Sequence, residues 1–450
     1  MINNERRKEN MYLSKIIKTS NHLYIYDALN NKFAVINSEE DILDDKAYTR
    51  FLSENDFRDV KKSCEFQVKY PFSKDELRSM FDRKVKSVTL ALTEQCNLRC
   101  KYCGYMPKYM DGNYHLKEMP REVAFAAIDF LLKNSQESDV CNLGFYGGEP
   151  LLRLDLIKDC ISYIKDRYPF RQPTYSITTN ATLINDEVAD FLIENNVKVT
   201  ISFDGVTKDQ NKYRVDGNGN SSYEKVYRNI QTIYQKNPKY FKESVTYNVV
   251  MYDGANRELF DSLDCLWKSD VVLIDLFETE YFKQVRDKND EMSKDEKINA
   301  RAYDFTYRNM LADMKKYYNV LNTSEISNII LPGGFCIPGV RKNFVTADGK
   351  IIVCEKVDES QALFEIGDIY TGIDMKKVER LVDVTVKCLS NCRHCWAARF
   401  CNICFMDILK VGNEYCEQSR KNIESELGYY IDRICTDRDL VNYIANISLV

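Results

Sequence analysis

Three cysteines within eight residues, in Thr93-Glu-Gln-Cys96-Asn-Leu-Arg-Cys100-Lys-Tyr-Cys103, put three thiolates on one short segment. Thiolates are soft ligands that suit iron–sulfur clusters and zinc. Three of them leave one iron of a four-iron cluster without a protein ligand, and an open iron can bind a small chelating molecule. A structural zinc site is normally closed by four ligands, and His115, the nearest further candidate, is a poor match in spacing. A second field reads Cys336, Cys354, Cys388, then Cys392-x2-Cys395-x5-Cys401-x2-Cys404, then Cys416. Its two C-x2-C pairs are as good a zinc signature as an iron–sulfur one. Cys64, Cys141, Cys160, Cys265 and Cys435 stand alone and read as small apolar residues.

Polar groups recur at the ends of apolar runs. Gly147-Gly148-Glu149-Pro150 supplies glycines that allow close backbone approach to a ligand, and a carboxylate able to accept from an ammonium group. Thr179-Asn180, Ser202, Asp204, Arg214 and Asn248 follow in order. Taken singly, each reads equally well as a turn or a solvent-facing strand end.

The elements that must carry these groups alternate strand and helix. Apolar runs at 87–92, 142–146, 175–180, 197–203, 244–250 and 271–277 predict strands, with helix-length segments between most of them. Repeated β-α units imply a parallel sheet or barrel, whose chemistry gathers at the C-terminal strand ends. The polar groups fall at that edge. Ahead of this, His22–Asn37 holds two alternating runs about an Asn-Asn turn, the pattern of a hairpin, and 39–85 reads as short helices. The segment 278–335 is charged and reads as a largely helical connector, and Asp348-Gly349 reads as a hairpin turn leading to Cys354.

Composition sets the outer limits. With 450 residues the chain is long enough for two or three domains. Its 63 Lys and Arg against 68 Asp and Glu give a net charge of −5, which offers no basic field for nucleic acid. No apolar run reaches the roughly 18 residues of a membrane span, and the N-terminus lacks the features of a secretory signal. The 16 cysteines therefore read as reduced cytoplasmic thiols, which favours metal over disulfides.

The C-x3-C-x2-C spacing with Tyr102 before the last cysteine, followed in order by the strand-end motifs, resembles the radical S-adenosylmethionine (SAM) superfamily. The resemblance implies a partial (β/α)6 barrel and a four-iron cluster on Cys96, Cys100 and Cys103. SAM chelates the open iron, and its reductive cleavage releases a 5′-deoxyadenosyl radical that abstracts a substrate hydrogen. It implies that Gly147, Gly148 and Glu149 hold the methionyl amino group. Thr179, Asn180, Ser202 and Asp204 would meet the ribose, Arg214 the methionyl carboxylate, and Asn248 the adenine pocket, with Tyr102 also at the cofactor. The tail resembles the SPASM extension of radical SAM peptide-modifying enzymes, which carries two auxiliary four-iron clusters. By motif position Cys392, Cys395, Cys401 and Cys416 hold the outer cluster, and Cys336, Cys354 and Cys404 the inner one. The x2 gap before Cys404 departs from the usual x3. A fourth inner thiolate is lacking, and Cys388 competes with a substrate Cys for that position. His394 reads as a donor to cluster sulfur or as exposed.

These features together resemble maturases that forge thioether crosslinks in ribosomally made peptides. The expected organisation is an N-terminal winged-helix-like α+β module at 1–85 that captures a leader, the barrel at 86–305, a helical linker at 306–335 and a Cys-rich SPASM domain at 336–450. The expected partners are a Cys-containing precursor peptide with its leader and reduced flavodoxin or ferredoxin as electron donor, with no nucleic acid and no membrane. An alternative is the anaerobic sulfatase maturases, which make formylglycine and carry an Asp base where Glu355 stands here. Glu355 is the candidate catalytic base, with a surface carboxylate beside Lys356 as its plain reading. A third reading is a non-enzymatic zinc-ribbon protein.

Overall fold

The computed structural model describes residues 13–19, 22–36, 50, 53–54, 65–70, 72–103, 116–205, 208, 211–251, 271–275, 315–322, 329–330, 332, 339–401, 403–404 and 413–436. Cys64, Cys265, Cys336, His115, most of the 278–335 connector and most of the 39–64 helical stretch lie outside them. Two compact units divide the chain. One comprises 1–74, 307–336 and 379–450, and the other 75–306 and 337–378. The segments expected from sequence, with boundaries after 85, 305 and 335, run across this division, because the first unit draws on both ends of the chain and the second is built of two separate stretches between them.

The first unit contains an antiparallel meander, β1 (Ser14–Lys18), β2 (Leu23–Asp27) and β3 (Lys32–Ile36). The expected hairpin is β2–β3, and Asn31, at φ 53°, takes the left-handed conformation that asparagine tolerates in a turn. Strand β1, which the sequence reading missed, completes the sheet. A two-residue strand, β4 (Gln67–Val68), pairs in parallel with Ile329–Ile330 in this unit. The meander buries Ile17, Tyr24 and Tyr26 in one core with Phe400 and with Ile423, Leu427, Tyr430 and Ile431 of the C-terminal helix Asn413–Thr436. Arg399 donates from Nε to the carbonyl of Ala28 at 2.6 Å, tying the turn to the cysteine-rich tail.

The second unit holds six parallel strands in sequential order: β5 (Ser87–Thr93), β6 (Asn142–Gly147), β7 (Thr174–Thr179), β8 (Lys198–Ser202), β9 (Val245–Met251) and β10 (Val271–Asp275). They sit where the apolar runs predict strands. The helices α1 (Arg121–Asn134), α2 (Leu154–Arg167), α3 (Asp186–Glu194) and α4 (Tyr223–Lys236) connect the first five. Each turns its apolar stripe inward; in α4, Val226, Ile230 and Ile233 are buried at helical spacing. Asn185 caps α3 by accepting from the Val188 amide.

The sheet continues past β5. Strand β11 is the Ile329–Ile330 partner of β4; next in the chain comes β12 (Asn343–Val345), parallel to β5. Then β13 (Lys350–Ile352), β14 (Glu365–Asp368) and β15 (Gly372–Ile373) follow antiparallel, giving a mixed sheet of ten strands. The β12–β13 turn is the one read at Asp348-Gly349. Gly349 has φ +88° and donates its amide to the Thr346 carbonyl. This hairpin sets Cys354 and Glu355 just beyond a strand that shares the barrel sheet. Among the described residues no helix is long and apolar enough to cross a membrane.

Candidate functional site

The cysteine loop leaves the C-terminal end of β5 and is held on three sides. Gly148 donates its amide to the Thr93 carbonyl at 2.7 Å, and Glu149 to that of Gln95 at 2.8 Å. A Cβ on Gly147 would stand 2.2 Å from the Thr93 carbonyl oxygen, and one on Gly148 would stand 2.1 Å from that of Gln95. Read from sequence, these glycines promise approach to a ligand. In the structure they let the β6 end close on the base of the cysteine loop.

On a second side, the loop runs antiparallel to the segment after β8. Arg99 donates its amide to Val215, Lys101 to Tyr213, and Leu98 bridges Asp216. This pairing sets Arg214 opposite Cys100, with Nη1 4.0 Å from the Cys100 sulfur. The guanidinium lies 5.3 Å from the Tyr102 ring centre, and Nε is 3.1 Å from Oδ2 of Asp204, an ion pair without hydrogen-bond alignment. The side chains of Arg214 and Asp204 are 7% and 0% exposed. Tyr102 donates to Oδ2 of Asp204 at 2.6 Å, and the Val250 amide donates to Oδ1 at 3.1 Å. Asp204 is thus committed to protein donors, and its evident work is to aim Arg214 and Tyr102. Burial alone would lower the Arg214 pKa; Asp204, Tyr102 and Cys100 together more than offset it and keep the guanidinium protonated.

The third side is the end of β7. Asn180 donates from Nδ2 to Oδ1 of Asn97 at 2.9 Å and approaches the Cys96 sulfur at 3.7 Å. Asn97 reaches back from Nδ2 to the Thr182 hydroxyl at 2.7 Å, and that hydroxyl donates to Oδ1 of Asn180. Glu149, wholly buried, accepts from the Thr179 hydroxyl, the Asn180 amide and the Leu151 amide at 2.7, 2.8 and 3.0 Å. Burial pushes its carboxyl up to about 7 in spite of these donors. A carboxylate has about four acceptor positions, so one remains for an ammonium group. Ser202, the last residue of β8, is in register with Asn248 in the middle of β9, and both are half-buried.

Burial raises the thiols of Cys96 and Cys100 to about 11 each. Cys96 feels the charge of Cys100, Cys100 that of Cys103, and the Leu98 amide points at the Cys96 sulfur from 3.4 Å. Three converging thiols with N–H donors beside two of them, and a buried cation with a donor left over, fit a cluster carrying an anionic chelator. The signal for Arg214 lay in its place after β8; the pairing that brings it to Cys100 is a long-range contact that spacing does not encode.

Beyond this loop, Glu355 is paired with Lys342, whose Nζ is 3.0 Å from Oε1. Burial raises its pKa, but the Lys342 charge and hydrogen bond, a backbone hydrogen bond and the Lys356 charge together outweigh that and leave Glu355 below the usual carboxylate value. Tyr146, near the end of β6, is raised first by burial and then by the charges of Glu355 and Cys103, so it feels both groups. Sequence reasoning overlooked it because it precedes the glycines as an ordinary apolar strand residue.

In the first unit, Cys392, Cys395, Cys401 and Cys416 line one cavity of about 280 Å3 with Ser419 and Arg420. Burial pushes the Cys392 thiol up to about 12, reinforced by the other three thiols and opposed by Arg420. Among the described residues, no three His, Cys, Asp or Glu close tightly enough to hold a single metal ion. Four thiolates on one zinc at about 2.3 Å would lie about 3.8 Å apart. A cavity walled by four thiols suits soft-metal ligation, iron–sulfur or zinc. His394 points elsewhere, 3.5 Å from Glu65 and 56% exposed. Cys354 lies in one unit and Cys404 in the other, Cys336 is outside the described residues, and Cys388 ends the helix Met375–Cys388.

The family model for the Radical SAM superfamily matches residues 90–265, the stretch that carries β5 to β9 and the cysteine loop. The Cysteine-type anaerobic sulfatase-maturating enzyme of Clostridium novyi is 32% identical over 192 residues, 41% of this chain and 48% of that protein. The radical SAM cyclopropyl synthase TigE of Paramaledivibacter caminithermalis is 24% identical over 203 residues, covering 43% of this chain and 42% of its own. The chain spans less than half the length of these relatives. Both are enzymes by name. The solved structure of anSMEcpe with bound AdoMet superposes with a TM-score of 0.55 at 21% identity, covering 81% of this chain and 96% of that one. That likeness shows a shared fold, built here on a mixed α/β sheet.

Proposed function

We propose that this chain is a radical SAM maturase that oxidises a Cys-containing peptide and joins the Cys sulfur to carbon as a thioether. The observation that carries the reading is the cysteine loop locked between the Gly147-Gly148-Glu149 clamp and the Arg214 segment. Cys96, Cys100 and Cys103 would hold a four-iron cluster. With SAM bound, that group supplies a hydrogen-abstracting radical.

The chain's own residues do the positioning. Glu149 offers its remaining acceptor position to the methionyl ammonium, and Thr179 and Asn180 keep that carboxylate fixed. Arg214 presents its outer guanidinium nitrogens to the methionyl carboxylate, while Asp204 and Tyr102 fix the plane of the fork. Ser202, at the end of β8, and Asn248, its register partner within β9, would face the nucleoside. Glu355, kept ionised by Lys342, would take a proton from the substrate as the sulfur–carbon bond forms. Tyr146 would bound the substrate between Glu355 and the radical site. Cys392, Cys395, Cys401 and Cys416 would hold an outer auxiliary cluster. Reduced flavodoxin or ferredoxin would supply the priming electron.

The peptide's leader would be captured on the meander. In the described residues β3 pairs only with β2, so its other edge is open, and Val35 on it is 53% exposed. Strand addition at an open edge is a common mode of peptide recognition. A Val35→Lys change should weaken precursor binding while SAM cleavage without peptide is unchanged; equal affinity in the variant would remove the meander from leader capture.

Similarity to the sulfatase-maturating enzyme gives formylglycine formation a standing of its own, with Glu355 taking the place of the Asp base. Product analysis after anaerobic reaction with a Cys-containing peptide separates the two. A thioether keeps the sulfur and loses two hydrogens, whereas formylglycine loses the sulfur and reacts as an aldehyde. A protein with zinc and no sulfide would favour the zinc-ribbon reading over both.

A further inference from the structure

We propose that Arg420 sets the reduction potential of the outer auxiliary cluster and holds it high enough to act as an electron acceptor. This rests on the reading of Cys392, Cys395, Cys401 and Cys416 as that cluster's ligands. The helix Asn413–Thr436 carries Cys416 into the cavity wall, and Ser419 and Arg420 follow three and four residues later. At 3.6 residues per turn these positions share one face, so a single helix delivers a ligand, a hydroxyl and a cation to the same cavity. The Ser419 hydroxyl is 4.0 Å from the Cys401 sulfur. The charge of Arg420 acts on Cys392, Cys395 and Cys416, so it is felt by three of the four thiols. Glu417 also lines the cavity and opposes Arg420 in sign, but it is exposed, so water screens its charge the more.

The consequence for a cluster there follows from charge. Adding one electron to a four-iron cluster makes the group one unit more negative, with no bond made or broken. A fixed cation at the wall favours that reduced state, and it does so more strongly where water is excluded. Net charge and hydrogen bonds to sulfur are the levers by which a protein moves such potentials. Thioether formation from a thiol and a carbon-centred radical leaves one electron to be removed, and a cluster biased by Arg420 is suited to receive it. Arg420 is a positioning residue in this scheme: it touches neither peptide nor SAM.

The test isolates the outer cluster in the full chain by replacing Cys96, Cys100, Cys103 and Cys354 with Ala, then reconstitutes iron and sulfide anaerobically. A potentiometric titration with dithionite, followed by the electron paramagnetic resonance of the reduced cluster, reads its midpoint. Arg420→Gln should keep its iron and shift the midpoint downward by about tenfold in reduced-to-oxidised ratio at fixed potential, which is about 59 mV for one electron. Arg420→Lys, which keeps the charge, should recover most of that shift. An unshifted midpoint in Arg420→Gln overturns the proposal. Loss of cluster iron from Arg420→Gln overturns it too, since Arg420 would then hold the cluster and not bias it. Absence of iron from the parent chain would instead count against the ligand assignment.

Discussion

At the residue scale the site depends on atoms that leave no room. Gly148 has the Gln95 carbonyl oxygen where a Cβ would go, at 2.1 Å, and a backbone atom cannot swing aside as a side chain can. Gly148→Ala should therefore displace the base of the cysteine loop. The variant is expected to lose the iron of that loop and SAM cleavage with it, while the Cys392 site keeps its own iron. Iron and sulfide counts with 5′-deoxyadenosine assays check this, and normal SAM cleavage would show that the loop tolerates the shift. Glu149 gives a pH signature. Its folded pKa of about 7 lies above the ordinary value of 4.5, so between these the unfolded chain releases a proton that the folded chain keeps. Stability then falls as pH rises from about 4.5 to 7, by at most on the order of 3 kcal/mol. In SAM-free protein, the unfolding midpoint of wild type should drop relative to Glu149→Gln across that window. Parallel curves for the two would contradict a raised carboxyl.

At the element scale, the strands and their polar ends were legible because a buried parallel strand advertises itself as a short apolar run ending in a turn signal. All six barrel strands stand where the sequence puts them, and the Asp348-Gly349 turn does as well. What spacing could not give was pairing at a distance. Nothing in the sequence says that 98–101 zips against 213–216, or that Asn97, Asn180 and Thr182 close a ring around Cys96. Arg420 was overlooked although its four-residue offset from Cys416 is a helical signal; it became visible only once the helix Asn413–Thr436 was fixed. The Asn97 ring makes its own prediction. Asn97→Ala removes a partner from both Asn180 and Thr182, and should slow cluster assembly at the loop without altering the Cys392 site. Time courses of iron uptake would show it, and identical rates would reduce the ring to ordinary loop packing.

On the scale of the whole chain, the N-terminal meander is not an appendage. Tyr26 packs on Phe400 at 5.1 Å and on Trp396, the neighbour of Cys395, at 6.5 Å between ring centres. Tyr26→Ala should cost about 3–5 kcal/mol, the range for removing a large buried aromatic. It should also loosen the Cys392 site, seen as earlier unfolding and faster loss of any iron bound there to a chelator; wild-type behaviour on both counts would detach the meander from the cysteine-rich tail. Deleting residues 1–74 should accordingly disturb the Cys392 site as well as any peptide binding. The interleaving of the two units was illegible because the partners of Tyr24 and Tyr26 lie some four hundred residues downstream, and apolar periodicity records burial without naming the partner.

The central claim is that Cys96, Cys100 and Cys103 hold a cluster that cleaves SAM. Its most direct measurement is 5′-deoxyadenosine formation by the full chain, reconstituted anaerobically with iron and sulfide and supplied with SAM and dithionite. The wild-type chain should form it, and the Cys96→Ala, Cys100→Ala, Cys103→Ala variant should form none while retaining the iron bound by its remaining cysteines. Continued formation by that variant, or none by a wild-type chain shown to hold iron on this loop, would contradict the account.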